Sequence, residues 1–524
     1  MKAWKVFLFI ISVIGLLTVI SLLIPAEEWK VGKLTLKFPK PESILVREEE
    51  LYVDPEEIIK ALELEARIID STYKSLEDTV AYYKKAMAMP TKFCFPNDDY
   101  TYYDHFFAAL ESARSQGRTI RIMHYGDSQI ELDRISSNIR EYFQSHFGGG
   151  GPGLLPLVAS VGSPTIYQSY SGNSTQYALY GDGSRNSERN YGVMAKSFRV
   201  YGNNSFYASS PKKVKSERQK RYNKIQLFCT PRNGNFKATL ISKAQGLRLE
   251  QQADSNGTQL LTWNLDTAIS NFTLQFSGEA DIYGVAVDNG YGVAVDNMPM
   301  RGASGTFFSQ MSDSLLSHYF EMIDVGMIIM QFGGNSVPSL YSEKSVEKYV
   351  ENIGKQIRFM RKVRPGVPIL FIGPSDMSTR INGVMSTYKW LPLLVEKLKV
   401  TVVENGAAFW DLYNVMGGKG SMISWVKKGW AGKDYIHFST QGAHQVGEVL
   451  TQSFQSMYEF YKLRKTNPEI DFNVIWSKLP QVQQQDSLNN ISKDVVHTQQ
   501  YTEKSSQAPN AAGASSRCMR LMRA

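Results

Sequence analysis

Two stretches of strand–helix alternation, held apart by a long block without amphipathic helices, constrain the fold of this chain more than any other feature. The first stretch is TIRIMHY (Thr119 to Tyr125), then GDS, then SQIELDRISSNIREYFQSHF, in which Ile135, Ile139, Phe143 and Phe147 recur every four residues. A β-rich run followed by that spacing predicts strand, tight turn, helix. The second stretch opens on DVGMIIMQF, a continuous apolar run suited to a strand buried on both faces. It continues with the helical SEKSVEKYVENIGKQIRFMRKV, the strand VPILFIG, the helical YKWLPLLVEKLKV, the strand AAFWDLY and a closing helix from Gln441 to Leu463. Strands of this kind alternating with helices predict an α/β domain around a parallel, doubly wound sheet. Between Gly153 and Asp288 the texture changes to short segments broken by Gly, Asn and Ser, such as KIQLFCTPRNGNFKATLISKAQGLRLEQQ. These predict a β-sandwich of jelly-roll type inserted into the α/β domain. The heptapeptide YGVAVDN occurs twice at its exit, from Tyr283 and from Tyr291. Two copies make no solenoid, and they are read as the last strand of the insertion and the strand that re-enters the α/β sheet.

At the amino terminus, Val6 to Ile24 is an uncharged apolar run of 19 residues. As a helix it would cross the roughly 30 Å hydrocarbon core once. Lys2 and Lys5 precede it and Glu27 and Glu28 follow it, so the bulk of the chain is expected outside the cytoplasm. LLIPAEE is a poor cleavage site, which favours an uncleaved anchor. From Asp54 the sequence reads as a stalk or packing helix, and beyond about Thr466 it is polar and reads as disordered. The expected division is a transmembrane anchor over 1–29, a helical stalk over 30–95, α/β parts over 96–152 and 290–465, the β-sandwich over 153–289, and a tail over 466–524.

A chain of 524 residues is long for one core. With 43% hydrophobic and 21% charged residues it is neither disordered overall nor a many-span membrane protein. The formal charge of +8 could suggest nucleic acid, but the run from Lys212 to Lys224 holds seven basic residues against Glu217 alone, and so carries six of the eight net charges. The rest is nearly balanced, and nucleic acid is not an expected partner. The basic run reads as a solvated loop, or as a contact with an anionic envelope glycan. Cys94, Cys229 and Cys518 show neither CxxC spacing nor His partners at ligand spacing, which supports neither a disulfide scaffold nor a zinc site. GGGGPG at Gly148 to Gly153 lacks the Lys-Ser/Thr of a phosphate-binding loop and follows a helix rather than opening one. No metal and no cofactor is expected.

The chemistry gathers at predicted strand ends. Gly126-Asp127-Ser128 puts a serine between strand and helix, near helix N–H groups that favour developing negative charge. Asp434-Tyr435-Ile436-His437 stands just before the closing helix, and the three-residue offset lets a carboxylate and an imidazole converge as base and orienting acid. Gly302 follows the re-entry strand, where glycine lets a backbone N–H come close to a substrate oxygen. Asn335 follows MIIMQF and carries an amide suited to an oxyanion. His124 beside the serine strand reads as a packed residue.

Ser128, Gly302, Asn335 and Asp434 with His437, in that order and each at a strand end, resemble the four sequence blocks of the SGNH (GDSL-like) hydrolase superfamily. HYGDSQIELDRISSNIREYFQSHFGGGGPG and MGGKGSMISWVKKGWAGKDYIHFSTQGAHQVG look like the corresponding regions of periplasmic peptidoglycan O-acetylesterases. Those proteins also carry a carbohydrate-binding-like β-sandwich between the serine and glycine blocks. Here 174 residues separate Ser128 from Gly302, and 33 separate Gly302 from Asn335. Two departures stand out. The third block reads GGNS, so Ser336 replaces the acidic residue of GxND or GTNE, and Gln129 stands where the acetylesterases tend to have His. The resemblance implies a three-layer, flavodoxin-like SGNH domain interrupted by the β-sandwich. It makes Ser128 the nucleophile, His437 its base and then acid, and Asp434 the orienting carboxylate, with an oxyanion hole from the Ser128 N–H, the Gly302 N–H and the Asn335 side chain. The implied activity is removal of O-acetyl groups from an envelope polysaccharide, peptidoglycan first, by a periplasmic portion of a single-pass inner-membrane protein. An O-acetyltransferase with the same triad and a non-catalytic glycan-binding protein are the alternatives.

Overall fold

The computed structural model of this protein describes residues 93–479 apart from 215, 233–234 and 254–256, together with 28–31, 34–37, 76–88 and a few isolated positions before residue 57. Two compact units separate at Val53. In the first, Glu28–Val31 and Leu34–Lys37 form an antiparallel hairpin, where the sequence predicts the start of a helical stalk. Of the predicted stalk helix, Leu76–Ala88 is described and helical. The expected tail beyond residue 479 lies outside the described residues.

The second unit is built on a six-stranded sheet. Gly292–Pro299, Thr119–Gly126, Val325–Gln331, Ile369–Ile372 and Ala408–Trp410 lie side by side in that order, all parallel, and Phe93–Cys94 adds an antiparallel edge. Side chains alternate between the faces of a strand, and here both faces are covered. Ile120, Ile122, Ile329, Leu370 and Trp410 pack against the helices Asp104–Ala113, Ser136–Phe147 and Thr440–Thr466. Met123, Tyr125, Ile328, Met330 and Phe371 pack against Asp313–Met322, Glu343–Val363 and Leu391–Glu404. Burial on both sides is why these strands read as continuous apolar runs. Numbered along the chain, the parallel strands run 2-1-3-4-5 across the sheet. The reversal of direction between the first and third opens a crevice at their carboxyl ends, where ligands bind in sheets of this order. Thr119–Gly126 leads into Ser128 there, and Val325–Gln331 into Asn335.

The β-rich stretch forms one nine-stranded antiparallel sheet, not the two-sheet sandwich expected. The reason is the length of Lys196–Ser209. Phe198 to Val200 pairs with Ala280–Asp288, while Asn204 to Ser209 pairs with Asn271–Ser277, so two arms of the same sheet diverge from one strand. They enclose a shared core of Phe206, Leu227, Leu240, Trp263, Leu274 and Val285. The far ends of the arms meet where the Trp263 Nε1–H donates to the Leu249 carbonyl at 2.9 Å. The two YGVAVDN copies fall in different sheets, the first in Ala280–Asp288 and the second in the parallel strand Gly292–Pro299.

The expected fold class and localisation require one correction. Among the described residues no helix is long and apolar enough to cross a membrane. The two longest, Glu343–Val363 and Thr440–Thr466, are interrupted by charged side chains such as Glu347, Lys348, Glu448 and Lys462. Most of Val6 to Ile24, on which the expected anchor and inner-membrane placement rested, lies outside the described residues.

Candidate active site

The serine turn is set by Asp127. This residue is buried, caps the short helical turn that begins at Ser128 and accepts the Gln129 N–H at 2.9 Å. Its own N–H donates to the Gln331 carbonyl on the neighbouring strand, which ties the turn to the sheet. Ser128 Oγ then lies 2.8 Å from His437 Nε2, and His437 Nδ1 lies 2.7 Å from Asp434 Oδ2. The other Asp434 oxygen accepts the N–H groups of Ile436 and His437, each at 3.1 Å. Tyr435 between them takes a left-handed φ of 57°, and this turns the chain so that residues 434 and 437 face each other. Burial pushes the Asp434 pKa up, but the His437 side chain and the two N–H groups outweigh it and hold it below the usual value. A carboxylate kept charged beside Nδ1 fixes the tautomer that leaves Nε2 free to accept the serine proton.

A cavity of about 150 Å³ opens beside these groups, lined by Ser128, His437, Asn335, Gly334, Pro374 and Met377 among others. It is well below the roughly 300 Å³ at which pockets for drug-sized ligands begin, and it suits a small acyl group. Asn335 Nδ2 donates to the Ala303 carbonyl at 3.2 Å, which links the amide to the loop that carries Gly302. Gly302 has a φ of 72°, in the region that favours glycine, and a Cβ there would meet open space. Gly333 turns the chain towards Asn335 at a φ of 128°, with the Pro374 ring 3.0 Å from where a Cβ would stand.

The structure thus brings Ser128, His437 and Asp434 into one hydrogen-bonded chain, sets Asn335 in the same cavity and joins Gly302 to it through Asn335. It also reveals braces that sequence reading missed. The Gln129 side chain donates to the Ile436 carbonyl at 2.7 Å and accepts the Phe438 N–H at 3.3 Å, so it holds both flanks of His437. Arg134 donates to the Phe438 carbonyl at 2.6 Å and the Ser128 carbonyl at 2.9 Å, stapling the serine turn to the histidine loop. Asp376, behind the cavity wall at Met377, accepts the Thr387 hydroxyl and the Met422 N–H, each at 2.8 Å. His124 is buried between Ser136 and Gln331, and burial pushes its pKa down to about 3, which keeps it neutral and outside the site.

Burial raises the Asp127 pKa from 3.8 to about 6, against the lowering effect of the Gln129 N–H. Between those values the folded chain holds a proton that the unfolded chain has released, so this group makes stability fall as pH rises through the window. Asp127→Asn keeps the acceptor for Gln129 and removes the titration. Urea denaturation at intervals from pH 4 to 7 is expected to show a flatter pH dependence in this variant than in the parent, and an identical slope would refute the assignment. Asp376, also raised to about 6 by burial, accounts for a slope of the same sign in both proteins.

No protein-family model and no curated protein sequence matches the chain. Among solved structures, one described as "Peptidoglycan O-acetylesterase in action, 5 min" superposes with a TM-score of 0.55 at 20% identity, over 72% of this chain and 98% of that one. Family two carbohydrate esterases from Cellvibrio japonicus and Clostridium thermocellum match at 9% and 11% identity, over 56% and 50% of this chain and 99% and 95% of theirs. Their TM-scores of 0.23 and 0.24 are too low to bear on the fold. The chain shares the fold of the O-acetylesterase structure.

Proposed function

We propose that this protein is an SGNH-type serine esterase that removes O-acetyl groups from a polysaccharide, peptidoglycan being the first candidate. The observation that carries this reading is the hydrogen-bonded run from Ser128 through His437 to Asp434 beside a cavity of acyl size. In the proposed reaction Ser128 Oγ attacks the acetyl carbonyl as His437 Nε2 takes its proton. The oxyanion of the tetrahedral intermediate is met by the Ser128 and Gly302 N–H groups and the Asn335 amide. Collapse expels the sugar hydroxyl, which receives the proton from His437 and leaves an acetyl-enzyme. Water, activated by the same imidazole, then releases acetate. The choice of a polysaccharide rests on the fold shared with the O-acetylesterase structure.

Transfer of the acetyl group to a second sugar hydroxyl would use the same residues and would require water to be excluded. The side chains of His437 and Asp434 are 41% and 49% exposed, which favours hydrolysis. Incubating the protein with an acetyl donor and a glycan acceptor is expected to yield free acetate; acetylated glycan in excess over acetate would overturn the esterase reading. Asp434→Asn is expected to lower kcat on a simple acetyl ester by about 10²- to 10⁴-fold with little change in KM, because the amide favours the wrong imidazole tautomer. Unchanged kcat would remove Asp434 from the mechanism.

A further inference from the structure

A second and larger cavity, about 430 Å³, lies next to the candidate site. Glu131, three residues after Ser128, and Arg301, one residue before Gly302, form an ion pair on its wall at 2.6 Å, so it adjoins two of the loops that carry the proposed chemistry. The nine-stranded sheet supplies further lining, including Lys196 on the strand Lys196–Ser209.

Lys196 is unlike the other charges there. Glu131 is paired with Arg301, and Asp133 with Arg140. Lys196 is only 6% exposed, yet among the described residues no carboxylate pairs with it, Asp182 on the same cavity wall included. Its ammonium donates to Ser160 Oγ at 2.8 Å and sits 5.0 Å from the centroid of the Tyr180 ring. Burial lowers its pKa, as expected for an amine held away from water without a counter-ion. An ammonium has three donors, and the hydroxyl of Ser160 takes one. The Tyr180 ring already stacks on Phe307 and carries the ammonium, so what the cavity offers a ligand is the unpaired buried cation; in a space large enough for a sugar unit, that matches a pyranose carrying a negative charge.

We infer that this cavity binds a carboxylated sugar unit, with the carboxylate on Lys196 Nζ. Calling that sugar part of the substrate rests on the esterase reading; the binding itself does not. The carboxylate could be a lactyl ether on an amino sugar or the C6 of a uronic acid, and both present the same group. The test uses calorimetric titration of the full chain with four probes: N-acetylglucosaminyl-N-acetylmuramic acid, digalacturonic acid, and the methyl ester of each. At least one acid is expected to bind about tenfold or more tightly than its own ester, as a charge-assisted hydrogen bond requires, and the arm that does so identifies the source of the carboxylate. In Lys196→Met the acid is expected to lose that advantage while the ester binds as before. No preference for acid over ester in either pair, or a preference that survives Lys196→Met in a protein with an unchanged melting temperature, would overturn the inference. If the variant does not fold, the acid-against-ester comparison in the parent chain still decides. None of the probes carries an O-acetyl ester, so failure of the esterase reading, seen as no acetate release from any acetyl ester, is told apart from failure of this site.

Discussion

Ser128→Ala is expected to reduce turnover of a simple acetyl ester by on the order of 10⁴- to 10⁶-fold, with the melting temperature unchanged. The expectation of so large a loss comes from the surroundings of His437. Ser336 and Ser375 are buried close by, but among the described serines only Ser128 is hydrogen-bonded to the imidazole. The Ser375 hydroxyl instead faces Gln129 Nε2 at 3.4 Å. Folding should not suffer, because among the described residues the Ser128 side chain bonds to nothing but His437, while the braces on the turn reach backbone atoms and Asp127 that alanine leaves in place. The residual rate in the variant would come from the oxyanion donors and from binding alone. Acetate release by Ser128→Ala at more than a tenth of the parent rate would sink the assignment of the nucleophile. A melting temperature lowered by several degrees would instead assign Ser128 a structural role.

The parts of this protein that could be read from sequence are those whose cause is local. DVGMIIMQF is buried on both faces wherever it sits, and the strand Val325–Gln331 lies inside it. The periodic run after Ser342 becomes the helix Glu343–Val363 because Ser342 caps it and its apolar positions line one face. The stretch after Ser128 was less legible. SQIELD forms a short irregular turn with Leu132 and Asp133 at φ of 60° and 56°, and the helix begins only at Ser136, since the chain first has to present Ser128 and place Glu131 against Arg301. The bend of the nine-stranded sheet was not legible at all, because it depends on which halves of Lys196–Ser209 find which partners, from 62 to 84 residues away. The same holds at the site. Ser128 and the Asp434–His437 pair could be picked out from residue type and spacing. The hold of Arg134 on them could not, since its acceptor on the histidine loop is a backbone carbonyl 304 residues distant, and carbonyls carry no sequence signal. The apolar run at Val6 to Ile24 is a strong local signal of another kind, and most of it lies outside the described residues.

Arg121→Met is expected to destabilise the protein by about 3–5 kcal/mol, the cost of leaving buried carboxylates without their partner. Arg121 lies on the strand that leads to Ser128, and its side chain is 2% exposed. It donates to Asp296 at 2.9 Å and to Asp288. These are the aspartates at the same position of the two YGVAVDN copies, one in each sheet, so a single guanidinium holds the last residue of Ala280–Asp288 and the middle of the re-entry strand Gly292–Pro299 on the serine strand. Burial works against the charge on Arg121, but the two carboxylates outweigh it and raise the pKa. The carboxylates have further duties: Asp288 accepts the Gly290 N–H at 2.8 Å and Asp296 the Leu154 N–H at 2.7 Å. Removing only the cation strands two negative charges, each less than 3% exposed. Adding Asp288→Asn and Asp296→Asn to Arg121→Met removes those charges and keeps both acceptors, and the triple variant is expected to recover at least half of the loss, because a neutral seam avoids the desolvation of unpaired ions. Urea denaturation of the parent, single and triple variants measures this directly. A single variant within 1 kcal/mol of the parent, or a triple variant no more stable than the single one, would show that the clamp does not carry the junction. Because none of the three side chains lines the acyl cavity, ester hydrolysis in the refolded triple variant should return with its stability, which ties the clamp to the placement of the serine strand and not to the chemistry at its end.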